Sequence, residues 1–87
     1  MREQQRYLDA ASKYREAIQI YRNLSSRGFL ASSLENLAFA LFALNDQHGN
    51  DEIRDIVRES LIIREQTYGK DHRMTIQAHT RLKHMLI

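Results

Sequence analysis

Between Arg64 and Met74 the chain reads REQTYGKDHRM. Gly69, Lys70, Asp71 and His72 stand side by side there, a mixture that a phosphate-cradling loop, a metal site or an acid–base pair can use. Each of those chemistries has requirements that this chain does not meet. A Walker-type loop needs a longer glycine-rich span that ends in Lys-Ser/Thr and follows a strand. A zinc site needs ligands at short fixed spacings, and His48, His72, His79 and His84 include no i,i+4 pair, no HExxH and no cysteine partner. His79 and His84, five apart, fall on different faces of a helix. Ser, His and Asp occur, but without a nucleophile-elbow motif or an oxyanion loop. The stretch is therefore read as a turn, with Gly69 closing one helix and Asp71 capping the next. No catalytic, cofactor-binding or metal-ligating residue is assigned, and no enzyme activity is expected.

The composition agrees with a non-catalytic helical domain. The 87 residues suffice for one small domain with a limited core. With 43% hydrophobic and 28% charged residues, the chain has the mixture of an ordinary globular protein. It has no proline and three glycines, and a chain of strands and tight turns would use more of both. The absence of cysteine excludes a disulfide framework and thiolate zinc sites. The opening MREQQRYLDAASK is charged and has no apolar core, unlike a secretory signal. No run approaches the roughly 18 apolar residues that span a membrane. The expectation is a soluble cytoplasmic protein that binds neither membrane nor nucleic acid. The formal charge of +2 comes from 13 Lys+Arg against 11 Asp+Glu with the signs interspersed, not gathered on one face.

Four helical segments position these residues. In the first, about 3–24, Tyr7, Ala10, Ala11, Tyr14, Ala17, Ile18 and Tyr21 recur at helical steps. Gly28 is expected to take the left-handed conformation in the break that follows. In the second, about 30–45, Leu34, Leu37, Ala38, Leu41 and Leu44 form the main stripe. Phe39, Ala40, Phe42 and Ala43 extend it round the helix, so this should be the most buried segment. NDQHGND, 45–51, is a loop, with Asn50 or Asp51 as N-cap of the third segment, about 51–68. Its inner positions are Ile53, Ile56, Val57, Ser60, Leu61 and Ile63. The fourth, about 72–86, carries Met74, Ala78, Leu82, Met85 and Leu86. Short connections make neighbouring helices antiparallel, so the fold is an all-α stack of helical hairpins.

The segments repeat. Ala10, Tyr14, Ala17, Ile18 and Ile20 lie over Ile53, Val57, Ser60, Leu61 and Ile63 at an offset of 43 residues. ENLAFAL lies over TRLKHML, with Leu37 over Leu82, at an offset of 45. A two-helix unit of roughly 40 residues marks a stacked helical repeat. The pattern resembles a tetratricopeptide repeat. Leu34, Leu37, Ala38 and Leu41 fit its inner helix, and Ala10, Tyr14 and Ala17 its outer one, with Ile53, Val57 and Ser60 a looser match. The small residues let helix axes approach while large ones fill the adjacent gap. The resemblance implies a right-handed superhelical fragment with an outer half-repeat at 3–25, a full repeat at 30–68 and an inner half-repeat at 72–87. Ile63, Arg64, Glu65, Gly69, Asp71 and His72 also resemble the connector of kinesin-light-chain-type repeats. Arg73 stands where that type prefers proline, and the first connector, RNLSSRGFLASSL, lacks the motif.

The resemblance implies a protein-interaction scaffold whose inner helices line a concave groove. Helical phase nominates Ser32, Glu35, Asn36, Phe39 and Phe42 on the second segment. Asn36 stands where similar repeats place an asparagine that bonds a peptide backbone. Its repeat equivalent is Arg81, with His84 one turn on. The expected partner-binding set is thus Ser32, Glu35, Asn36, Phe39, Arg81 and His84, and the ligand an extended segment or helix of another protein with acidic character. A second reading is self-association, or a piece of a longer array, through end faces that stack on neighbouring repeats. A transport-type helical module that binds partners' C-terminal helices would share EAIQIYR but not the repeat of the third and fourth segments.

Overall fold

The computed structural model describes residues 2–45 and 51–86. Four α-helices follow one another: α1 (Glu3–Leu24), α2 (Arg27–Asn45), α3 (Asp51–Tyr68) and α4 (Arg73–Leu82), the last running into a 3-10 turn, Lys83–Leu86. No strand occurs among the described residues. The loop expected near 45–51, together with His48 and the capping role of Asn50, falls mostly on residues outside those described.

α2 packs against α1 and α3, and α3 against α2 and α4. The all-round apolarity of α2 explains its central place: Leu30, Ala31, Leu34, Leu37, Ala38, Ala40 and Leu41 are all buried. Each fully buried leucine contributes about 1.5–3 kcal/mol relative to leaving it in water. Against this core α3 sets Ile53, Val57, Leu61 and Ile63, and α4 sets Ala78 and Leu82. Ser60, a small residue in the same row, is completely buried and donates its hydroxyl to the Val57 carbonyl at 2.8 Å, so its polarity is satisfied within the helix.

The helix ends hold the corrections to the sequence reading. Ser25, not Gly28, is the left-handed residue, with φ 57° and ψ 31°. Its N–H reaches the Arg22 carbonyl at 3.3 Å and that of Ser26 reaches Tyr21 at 3.1 Å, the paired bonds that close a helix in a Schellman turn. α1 ends at Leu24 as expected, but α2 begins at Arg27 rather than near Leu30, and Gly28 is an ordinary residue of its first turn. The second connector follows expectation at Gly69, which has φ 92° and donates to the Glu65 carbonyl at 2.8 Å. The cap of α4 is His72, not Asp71. Its ring stacks on Tyr68 at 4.9 Å, which brings Nδ1 within 3.0 Å of the Met74 N–H to accept its hydrogen bond. Arg73 is thus the first residue of α4.

The stripe of α4 holds at Ala78, Leu82 and Met85, which are buried, but Met74 is exposed and Thr75 beside it is fully buried. Its hydroxyl donates to the Arg64 carbonyl at 3.2 Å, tying the first turn of α4 to the last turns of α3. On the opposite side, Arg15–Glu52 (3.2 Å) and the forked pair Arg22–Glu59 (2.6 and 3.0 Å) link α1 to α3. The bond to Glu59 raises the Arg22 guanidinium above its ordinary pKa.

Candidate binding groove

α2 and α4 are the two inner helices, and the space between them is floored by the end of α3. Glu35 on α2 is 3% exposed, although the sequence pattern placed it in an open groove. The reason is two cations. Arg64 Nε donates to Glu35 Oε2 at 2.9 Å, and Arg81 Nη2 donates to Oε1 at 2.7 Å. Arg64 also donates to Ser32 Oγ at 3.2 Å. A buried carboxylate is tolerated when it is paired and hydrogen-bonded, and both of its oxygens are occupied here. Among the described residues no buried side-chain nitrogen or oxygen lacks a partner.

Glu35 thus supports the groove with both oxygens taken, while Ser32, half-buried, borders the second hollow. Arg81 is different. It gives one nitrogen to Glu35 while its side chain stays 57% exposed, which leaves further guanidinium donors open. Two arginines against one carboxylate leave this cluster with an excess positive charge.

Two hollows meet at the cluster. One, of about 440 Å³, is bordered by Arg64, Met74, Gln77 and Arg81 among others. The second, about 490 Å³, is bordered by Phe29, Ser32, Arg64, Tyr68 and Met74. Arg64 and Met74 border both, so the hollows adjoin as one trough in which apolar and cationic residues are mixed, Ile76 and Ala78 with Arg81 in the first and Phe29 and Tyr68 with Arg27 in the second. The expected set did not include Phe29, Tyr68, Met74 or Gln77. Gln77 was within reach, because it lies 45 residues after Ser32, at the repeat offset.

The other expected residues are elsewhere. Asn36 and Phe39 are exposed, but they border a separate hollow on the α1 side of α2, with Tyr7, Ala10 and Tyr14. His84 sets its ring edge-on to Phe42 at 5.4 Å, which joins the 3-10 turn to α2. The six residues of the expected set thus divide. Ser32, Glu35 and Arg81 share one network, Asn36 and Phe39 border another hollow, and His84 serves a packing contact. Among the described residues no group of three or more His, Asp or Glu is placed to hold a metal ion. No helix there is long and apolar enough to cross a membrane.

Residues 30–73, half of the chain, match the sequence model of the family described as tetratricopeptide repeat. No curated protein and no solved structure matches the chain significantly.

Proposed function

We propose that this chain, which belongs to the tetratricopeptide repeat family, binds an extended segment of a partner protein in the trough between α2 and α4. Repeats of this family generally serve protein–protein interaction and act as non-enzymatic scaffolds. The observation that carries the specific reading is the mixture of apolar and cationic residues along the trough. Phe29, Tyr68 and Met74 border one end and receive an apolar side chain. Arg81 and Gln77 border the other and donate to a carboxylate or a peptide carbonyl. Because Glu35 already holds Arg81 in place, little side-chain entropy remains to be lost when a ligand arrives.

We also assign the chain to the kinesin-light-chain type of repeat. Its connector supports this: Gly69 ends α3, His72 caps α4, and Arg64 reaches back to α2.

The test is a library of extended peptides that pairs one Leu or Met with Asp or Glu at varied spacing, read by fluorescence polarisation. The reading expects acidic members to be selected, with binding weakened by Arg81→Glu and by Met74→Asp. Binders that lack acidic residues, or that bind Arg81→Glu equally well, would exclude the trough as the site.

A further inference from the structure

Histidine lies outside the usual set of N-caps, in which Asn, Asp, Ser or Thr supplies an accepting oxygen. His72 supplies a ring nitrogen instead. Its Nδ1 accepts from the Met74 N–H at 3.0 Å, while its carbonyl accepts from that of Ile76, also at 3.0 Å. Its own N–H is held by the Gly69 carbonyl at 3.2 Å, and the ring is exposed.

A ring nitrogen differs from an oxygen in one respect. Nδ1 accepts only while it carries no hydrogen, and in the imidazolium both ring nitrogens are donors. Protonation therefore sets an N–H of the ring against the N–H of Met74. It also puts a positive charge at the helix end that favours anions. Histidine makes this change between about pH 8 and 5. No acidic residue stands in the first turn of α4 to take over the cap. The charged neighbours are Lys70 and Asp71 in the connector and Arg73 on α4, all exposed. From α3, Tyr68 faces the ring at 4.9 Å, and Glu65 is engaged with His79. Arg27, in the first turn of α2, is bonded to Gln66.

The cap holds a wall of the trough. Met74 borders both hollows, and Tyr68, beneath the ring, borders the second. α4 has ten residues, a length at which a helix depends on its caps and its packing. We infer that His72 is a proton-sensitive latch on the first turn of α4. It is closed while the ring is neutral and released when the ring is protonated, so acid loosens Met74 and the trough that it borders. The consequence for ligand binding rests on the trough as the binding site; the loosening of α4 does not.

The test is amide exchange of the whole chain by NMR at about pH 7.5 and about pH 5.5, on either side of the histidine change. Rates are expressed as protection factors, which remove the intrinsic pH dependence of exchange. Protection at Met74 should fall at least about threefold on acidification, as the loss of one side-chain cap implies. The buried Leu34 and Leu37 of α2 should keep theirs. His72→Asn, a cap without a titrating proton, should hold Met74 protected at both pH values, and His72→Ala should lower its protection at both. His79, 3.2 Å from Glu65, and His84, against Phe42, also titrate on α4 and its 3-10 turn. His79→Gln and His84→Gln should leave the response of Met74 intact. Nitrogen-15 spectra at the higher pH should show the Nε2–H tautomer of His72. Equal protection of Met74 at both pH values in the unaltered chain, an unchanged response in His72→Asn, loss of the response in His79→Gln, or an Nδ1–H tautomer would each overturn the inference. No peptide is present, so the result stands or falls apart from the trough reading.

Discussion

Arg64 Nε and Glu35 Oε2 lie 2.9 Å apart, and both side chains are almost wholly buried. Taking one partner from such a pair leaves the other charge stranded in a medium that solvates it poorly. Glu35→Ala should cost about 3–5 kcal/mol in urea denaturation, a large part of what a small domain has. Removing both charges, as Glu35→Met with Arg64→Met, should cost clearly less than the sum of the two single changes. Additive losses would mean that the pair is not coupled.

The two glycines near the connectors should respond in opposite senses. Gly28 is helical, and an added Cβ would meet only Tyr68 Oη, at 3.9 Å, an ordinary contact. Gly28→Ala should stabilise the fold by about 0.4–1 kcal/mol, because the unfolded chain loses freedom. Gly69 has φ 92° and open space around it, so Gly69→Ala should destabilise by about 1–2 kcal/mol through backbone strain alone. Thermal melts of the two variants would show the opposite shifts.

Arg73 opens α4, where the backbone N–H has no helical partner in any case, so proline fits there. The preceding residue, His72, has φ −71° and ψ 143°, a conformation that a following proline favours. Arg73→Pro should raise stability by about 0.4–1 kcal/mol and leave the far-ultraviolet dichroism unchanged. A loss of helix signal would show that α4 begins elsewhere.

The forked pair Arg22–Glu59 joins α1 to α3 at the surface. Exposed pairs contribute little, so Arg22→Ala should cost no more than about 1 kcal/mol, and less in high salt. The raised guanidinium pKa means that Arg22 stabilises the fold below its unfolded value and ceases to only as pH climbs through the folded one. Both lie in strong alkali, so across neutral and mildly basic pH the melting temperature should not respond to this group.

The features legible in the sequence were those that local rules decide. The leucine stripe of α2, the left-handed Gly69 and the row Ile53, Val57, Ser60 follow from periodicity and turn chemistry. Glu35 was illegible because its burial depends on Arg64, 29 residues away, and Arg81, 46 away, and no short-range pattern joins them. Met74 and Thr75 show a second limit. Hydrophobicity favours Met74 for the core, yet Thr75 is the buried residue there, its hydroxyl satisfied by a carbonyl of α3. Asn36 and Arg81 hold equivalent repeat positions, but they serve different hollows, because the neighbours of α2 and α4 differ.

Arg64 faces two ways. Its side chain holds Glu35 and Ser32 of α2, and its carbonyl holds Thr75 of α4. A force that prises α4 from α2, such as a ligand wedged into the trough, is thus borne partly through a residue of a third helix, alongside the direct bond from Arg81 to Glu35.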